Sequence, residues 1–213
     1  MKPNYYLLNL MFVTRPESTD INIINEVIAN DTYKIASTLK TGDFVIDIGA
    51  HIGSFSVYAA SLGARVLAFE PAKVNFDLLQ ANIELNDSMV DIRKLGIMDT
   101  NGDKTIFIRP FNFGGTSFFN TAGPNEVVQT ITLKEVFDTE NIEKCDFLKL
   151  DCEGAELGIL SSFPYFDRVK QLAFEYVGND KFKEKFMDLV RQQGYEVTSE
   201  SNERMGCIYG IRK

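Results

Sequence analysis

The stretch FVIDIGAHIGSFS, from Phe44 to Ser56, joins a short apolar run, a turn with two glycines and the start of a second apolar pattern. The run from Phe44 to Ile48 is almost continuously apolar, as in a strand that is buried on both faces. After the glycines, apolar residues recur at helical spacing, at Phe55, Tyr58, Ala59 and Leu62. The stretch therefore predicts a strand, a tight turn and a helix.

The same unit recurs directly downstream. A second apolar run, Arg65–Phe69, stops at Glu70-Pro71 and is followed by a helical stripe at Val74, Leu78, Ala81 and Leu85. Because parallel strands need a crossover that is usually a helix, repeated strand–helix units predict a parallel sheet. Further strands are predicted at 91–98, 147–150 and 171–176, with two more near Tyr195 and Cys207. The chain is thus predicted to be an α/β protein.

The length bounds the number of domains. At 213 residues, the chain is long enough for one well-cored domain and short for two, so residues 1–213 are predicted to form a single domain. Within it we expect a helical lead-in over about 1–41 and an insertion over about 99–131, near the functional site. Four Phe side chains between Phe111 and Phe119 flank Gly114-Gly115, which predicts either a hydrophobic lid or core packing.

Composition narrows the classes of partner. The net charge of -8 disfavours a nucleic-acid partner, because the phosphate backbone is repelled on average. The three cysteines have no spacing typical of zinc or a redox pair, which indicates free thiols in a reducing compartment. The sequence shows neither a signal peptide nor a membrane span, so a cytoplasmic location is expected. Nothing in it indicates an oligomeric state.

The glycine turn predicts a cofactor site. Glu70 follows it by about twenty residues, at the end of the second strand, where a carboxylate can accept hydrogen bonds from two ribose hydroxyls. The turn lacks the three glycines of the nicotinamide fingerprint and the Gly-Lys-Ser/Thr ending of a phosphate loop. A ligand with a ribose and no phosphate, S-adenosylmethionine, fits this pattern. The alternative is that Gly49 and Gly53 only make a tight turn.

Three motifs resemble those of the FkbM family of methyltransferases. They are the stretch from Phe44 to Ser56, Phe69-Glu-Pro71, and the block DFLKLDCEGAE at 146–156, in the same order and spacing. The resemblance implies a class I methyltransferase (Rossmann-like) fold, with a seven-stranded, mostly parallel sheet and helices on both faces. It also implies methylation of a hydroxyl on a sugar, glycan or small natural product. One departure is His51, where the family commonly has Asn.

The candidate site residues lie at the predicted strand ends. Cofactor contacts are predicted at Asp47, Gly49, Ala50, His51, Gly53, Ser56, Glu70, Pro71, Asp99 and Asp151. Catalytic roles are predicted for Asp151, Glu153 and Glu175, since an alcohol needs a base or a divalent metal to become a good nucleophile. Asp151 is the first candidate for a base and for a ligand to Mg²⁺.

Each of these roles has a structural alternative. Glu153 and Glu156 suit the start of a helix, Glu175 suits an ion pair at a sheet edge, and His51 suits packing within the turn. The resemblance would place Glu26 and Tyr33 over the methionine end of the cofactor, although helix packing explains them too. Two other functions stay open: nitrogen methylation of RNA or protein, and cofactor binding without transfer.

Overall fold

The computed structural model describes residues 1–119, 121–201 and 205–212. Its strands are β1 (Tyr5–Leu7), β2 (Leu10–Phe12), β3 (Phe44–Ile48), β4 (Arg65–Phe69), β5 (Val90–Arg93), β6 (Gly96–Met98), β7 (Gly102–Phe107), β8 (Asn125–Thr132), β9 (Phe147–Leu150), β10 (Gln171–Val177), β11 (Tyr195–Ser201) and β12 (Met205–Arg212). Its α-helices are α1 (Asp20–Ile24), α2 (Ser54–Ser61), α3 (Lys73–Leu85), α4 (Leu133–Thr139), α5 (Glu156–Ser162) and α6 (Asp180–Gln192). None of the helices in these ranges is long and apolar enough to cross a lipid bilayer.

Seven strands form the main sheet, in the order β11-β12-β10-β9-β3-β4-β5. Pairs from β10 to β5 are parallel, and β12 is antiparallel to both β10 and β11. The chain runs from β3 outward to β5 and then returns to β9 on the other side of β3, so the strand order reverses between β3 and β9. The mostly parallel seven-stranded sheet is confirmed, and its reversal is where such sheets bind ligands.

Hydrophobic cores lie on both faces of this sheet. Successive side chains of a strand point to opposite faces. Ile46 of β3 accordingly packs in one core with Phe137 of α4 and Phe186 of α6, whereas Val45 packs in the other core with Phe55 of α2. Helices therefore cover both faces, as the resemblance implied.

The predicted helical lead-in is wrong for the first 19 residues, which contain a β-hairpin. Leu8 and Asn9 connect β1 to β2 with φ of 49° and 66°. A two-residue turn with both φ values positive suits the twist of a hairpin. Helix begins at Asp20 and continues as a π-helical turn to Ala29, and no helix lies in the described residues from 30 to 43.

Two asparagines of the α3 region hold the hairpin in place. The amide oxygens of Asn86 and Asn82 accept from the backbone N–H groups of Met11 (2.8 Å) and Val13 (2.7 Å). Their amide nitrogens donate back to the carbonyl oxygens of Met11 (2.7 Å) and Val13 (3.3 Å). These hydrogen bonds join residues about 70 positions apart in the sequence. The periodicity of apolar residues within a short segment cannot indicate such pairs.

The predicted insertion at about 99–131 folds mainly as a second sheet of three strands, in the order β6-β8-β7. β6 is parallel to β8, and β7 is antiparallel to it. The run at 91–98, which was predicted as one strand, is split: β5 closes the main sheet and β6 begins the small one. An apolar pattern alone does not show that the chain changes sheets within such a run.

Gly49 is the point at which the first turn meets the end of β9. Its φ is +79°, and a Cβ built there would lie 1.8 Å from the backbone oxygen of Asp151. A side chain at this position would overlap the neighbouring backbone. Gly49 therefore keeps the ends of β3 and β9 close together, in addition to leaving room for a ligand.

We predict that Gly49→Ala destabilises the protein by more than about 4 kcal/mol, since backbone strain and overlap add. Gly42→Ala is the matched control: its φ is +90°, but a Cβ there meets nothing within 4 Å. It should cost only the left-handed strain, about 1–2 kcal/mol. Urea unfolding measures both losses, and equal losses would contradict the close approach.

Candidate active site at the carboxyl ends of the strands

A cavity of about 590 Å³ lies at the carboxyl ends of β3, β4, β9 and β10. Its wall contains seven of the predicted site residues: Gly49, His51, Glu70, Pro71, Asp151, Glu153 and Glu175. Five others do not line it: Asp47, Ala50, Gly53, Ser56 and Asp99. The two halves of the predicted site, cofactor turn and acidic block, thus share one cavity.

Asp47 and Ser56 support the wall from behind and do not face the cavity. Asp47 is fully buried and accepts hydrogen bonds from Ser56 Oγ (2.5 Å) and Lys149 Nζ (3.0 Å). Lys149 Nζ also donates to the carbonyl oxygen of Gly49 (2.7 Å). Burial would lower the pKa of Lys149, but the carboxylates of Asp47 and Asp151 raise it above its usual value. A buried ion pair explains Asp47 without a ligand.

The other three residues off the wall have structural surroundings. Ala50 is buried, and Gly53 precedes α2 with a φ of +92°, close to Leu79. Asp99 is exposed and lies beside Gly158 of α5. These three residues do not line the cavity, and cofactor contacts at them stay a prediction.

Glu70 occupies the wall at the end of β4, with both carboxyl oxygens oriented by the protein. Oε2 accepts from the backbone N–H of His51 (2.9 Å). Oε1 accepts from the N–H of Ala72 (3.0 Å) and from Asn75 Nδ2 (3.3 Å). Burial raises the pKa of Glu70 to about 7 even though these donors favour its charged form. A rigid carboxyl group therefore faces the region where a ribose is expected.

His51 lies in the turn with a φ of 53°, and its ring meets a network that the sequence did not indicate. His51 Nε2 is 2.9 Å from Arg15 Nη2. The Arg15 guanidinium donates to both oxygens of the fully buried Asp20 and to Asn75 Oδ1. Burial lowers the pKa of His51 to about 4, so the ring is neutral at physiological pH. In the sequence, Arg15 lies in a polar stretch with Glu17 and Asp20, and no signal there indicates a contact with His51.

Asp151, Glu153 and Glu175 form an acidic cluster in which one oxygen from each lies within 4.8 Å of the others. Tyr33 donates a hydrogen bond of 2.9 Å to Asp151 Oδ2. Burial and the charge of Asp151 raise the pKa of Glu153 to about 7. Burial and the charges of Asp151 and Glu153 raise that of Glu175 to about 9. Glu175 therefore holds a proton near neutral pH, and these oxygens suit a proton relay or a divalent cation.

The structure supports the structural alternative for one acidic residue, Glu156, and not the one for Glu175. Glu156 accepts from the backbone N–H groups of Cys152 (2.7 Å) and Gly154 (3.0 Å), which stabilises the start of α5. Glu175 lies beside carboxyl groups, and no Lys or Arg among the described residues forms an ion pair with it. The helix-start explanation thus applies to Glu156, and the sheet-edge explanation does not apply to Glu175.

The loop from Phe111 to Phe119 covers the cavity only in part. Phe118 lines the wall, and the ring of Phe113 packs against the Arg15 guanidinium, 3.8 Å from its carbon. Phe111 and Phe119 are largely exposed. Of the four Phe side chains predicted to form a lid, only Phe118 lines the cavity, and Phe113 packs on Arg15.

We predict that Glu175→Gln makes the protein more stable than wild type at high pH. A raised pKa means that the folded state holds a proton which the unfolded state releases, so stability falls as pH rises from about 5 to about 9. Gln cannot ionise and removes this loss, which should amount to at least about 1 kcal/mol near pH 9. Urea unfolding across this pH range measures it. Glu143→Gln, at an exposed position, should keep the wild-type slope, and a Glu175→Gln slope equal to wild type would refute the assignment.

Comparison with known proteins matches residues 47–197 to the Methyltransferase FkbM domain. Methyltransferase sdnD of Sordaria araneosa is 26% identical over 85% of this chain and 84% of its own length. The 31-O-demethyl-FK506 methyltransferase FkbM of Streptomyces tacrolimicus is 26% identical over 77% of this chain and 76% of its own. Hexuronic acid methyltransferase AglP of Haloferax volcanii is 30% identical over 55% of this chain and 48% of its own.

Solved structures agree on the fold. Magnesium protoporphyrin IX methyltransferase from Synechocystis, solved with bound SAM, superposes with a TM-score of 0.54 at 14% identity, over 94% of this chain and 86% of its own. This likeness establishes the class I methyltransferase fold. Since the matching domain also spans most of the sheet, both glycines of the turn and the acidic block, the chain belongs to the FkbM family of methyltransferases.

Proposed function

We propose that the protein is an S-adenosylmethionine-dependent O-methyltransferase that acts on a hydroxyl of a sugar, glycan or small natural product. The observation that carries the proposal is the single cavity in which the ribose-binding candidate Glu70 faces the same space as the acidic cluster of Asp151, Glu153 and Glu175. Two relatives are named for acceptors of these classes, 31-O-demethyl-FK506 and a hexuronic acid.

The wall of the cavity fits this cofactor by size and charge. Its volume of about 590 Å³ falls within the range usual for small-molecule sites. Six described wall residues carry carboxyl groups, namely Glu26, Glu70, Asp151, Glu153, Glu175 and Glu200, and none is Lys or Arg. Such a wall attracts a sulfonium cation and repels the phosphates of a nicotinamide or adenine nucleotide.

The negative charge of the wall also limits which acceptors can enter the cavity. An acceptor with a phosphate or carboxylate would enter against the negative wall, so we propose a neutral or cationic acceptor. This would separate the protein from its Haloferax volcanii relative, whose hexuronic acid acceptor is an anion at neutral pH. A nucleic-acid acceptor is disfavoured for the same reason.

Three acidic residues have different roles in the proposed mechanism. When bound, S-adenosylmethionine supplies a methyl group activated by a sulfonium. Glu153 accepts the proton of the acceptor hydroxyl, because a pKa of about 7 suits a general base near neutral pH. Asp151, fixed by the Tyr33 hydroxyl, orients the acceptor hydroxyl, and protonated Glu175 keeps the cluster from carrying a third negative charge.

A divalent cation is the second way to activate the hydroxyl. Asp151, Glu153 and Glu175 offer the carboxylate oxygens that Mg²⁺ prefers, within 4.8 Å of one another. A bound cation would keep all three acids ionised and lower the pKa of the hydroxyl directly. The two mechanisms therefore differ in how the rate depends on pH and on chelators.

Calorimetry tests the use of the cofactor. The protein should bind S-adenosylmethionine and S-adenosylhomocysteine in isothermal titration calorimetry, and Glu70→Ala should weaken binding about tenfold or more through lost hydrogen bonds to the ribose. Glu143→Ala, at an exposed position, should bind as wild type does. No binding by wild type would refute cofactor use, and binding without methyl transfer to any acceptor would favour a non-catalytic role.

The pH dependence of the rate tests the general base. With a neutral hydroxylated acceptor, kcat/KM should rise with pH through about 7 as Glu153 ionises, and fall through about 9 as Glu175 loses its proton. Glu153→Gln should lower kcat about 100-fold or more and abolish the rising limb. EDTA should leave the wild-type profile unchanged. Loss of activity in EDTA, restored by Mg²⁺, would replace the general base with a metal.

A further inference from the structure

His51 is the only histidine of the chain, and one of its ring nitrogens has no hydrogen-bond partner in the part of the chain that the structure describes. The residue lines the cavity and is 8% exposed. Nε2 is engaged by Arg15, whereas Nδ1 is buried without a hydrogen-bond partner among the described residues. Leaving a buried polar group unpaired costs about 1–3 kcal/mol. A ligand that pairs with Nδ1 would therefore recover free energy that the unliganded protein lacks.

The contact with Arg15 determines which nitrogen carries the proton. A guanidinium has only donors and stays charged at any physiological pH. At 2.9 Å from Arg15 Nη2, Nε2 must therefore be the acceptor, which leaves the single proton of a neutral ring on Nδ1. Burial and the positive charge of Arg15 both oppose a second proton and outweigh the attraction of Asp20 and Asp151. Nδ1 is thus an N–H donor without an acceptor.

Arg15 is itself held in one orientation. Its Nε and Nη2 donate to the two carboxyl oxygens of Asp20 at 2.9 and 2.8 Å, and its Nη1 donates to Asn75 Oδ1 at 2.8 Å. The ring of Phe113 packs against the guanidinium. Because Arg15 is anchored on every side, it fixes the tautomer of His51 before any ligand binds.

We propose that His51 Nδ1–H donates a hydrogen bond to an oxygen atom of the bound cofactor, and that Arg15 is the positioning residue that fixes this tautomer. The acceptor oxygen belongs either to the ribose or to the carboxylate at the amino-acid end. This inference rests on the proposed use of S-adenosylmethionine. It goes further by assigning a donor, its protonation state and the residue that sets it.

The chemistry of the wall explains the use of a neutral donor. His51 follows Gly49 in the cofactor turn, and its backbone N–H binds Glu70, so the ring lies beside the predicted ribose site. Since no Lys or Arg lines the described wall, ligand oxygens must be bound by neutral N–H and O–H groups. A neutral donor also leaves the negative field that attracts the sulfonium intact.

The tautomer is measured in the unliganded protein by ¹⁵N-detected NMR of the single histidine. We expect a neutral ring with the proton on Nδ1 from about pH 6 to about pH 8, since its pKa is about 4. Arg15→Met should shift the ring toward the Nε2–H form or the imidazolium, because Asp20 then faces Nε2 without competition. A proton on Nε2 in the wild-type protein near pH 7 would overturn the proposal.

Two substitutions test the donor itself. His51→Asn places an amide N–H near the position of Nδ1 and should bind S-adenosylhomocysteine within about threefold of wild type. His51→Gln places its amide near Nε2, keeps the contact with Arg15 and should bind about tenfold more weakly. Circular dichroism and urea unfolding confirm that both variants are folded, and affinity is measured by calorimetry.

5′-Methylthioadenosine, which has the ribose but no carboxylate, distinguishes the two oxygens. If His51→Gln weakens both ligands equally, the acceptor is a ribose oxygen. If it weakens only S-adenosylhomocysteine, the acceptor is the carboxylate. Equal affinity of wild type, Asn and Gln variants for both ligands would overturn the proposal. Failure of wild type to bind either ligand would instead refute the proposed function and leave the tautomer result standing.

Discussion

The buried ammonium group of Lys149 is the interaction on which the site depends. It donates to Asp47 at the end of β3 and to the carbonyl oxygen of Gly49 in the following turn, and it lies 3.7 Å from Asp151 beyond β9. A cation removed from water is costly unless several oxygens surround it, which is the case here. One side chain thereby fixes the relative positions of the cofactor turn and the acidic cluster.

The electrostatics of the cavity follow from this arrangement. Lys149 forms ion pairs with Asp47 behind the wall and with Asp151 in the cluster, whereas no Lys or Arg among the described residues forms one with Glu153 or Glu175. Burial and mutual repulsion then raise the pKa of Glu153 and Glu175, the condition that keeps carboxyl groups able to exchange protons near neutral pH. The proton affinity of Glu153 and Glu175 thus follows from their burial and from the neighbouring charge of Asp151.

The pattern of apolar residues and glycines along the sequence predicted those features that depend on neighbouring residues of the chain. The strands β3 and β4 and the wall position of Glu70 were predicted, because buried strands and their glycine turn have a recognisable composition. Asp47 was assigned to the cofactor, since a carboxylate at a strand end has the same appearance in sequence whether it binds a ligand or a buried lysine. Arg15 and Asp20 were missed because their contacts with His51 join distant segments.

The asparagine pairing of the N-terminal hairpin has a consequence for solubility. Asn82 and Asn86 are four residues apart in the α3 region, a rise of about 6 Å along a helix, and alternate residues of a strand are spaced by about 6.6 Å. Their side-chain amides therefore match the peptide groups of Met11 and Val13 and bond them as a neighbouring strand would. The outer edge of β2, a strand of only three residues, is in this way occupied by side chains of a helix. This blocks the edge-to-edge pairing through which exposed strands aggregate.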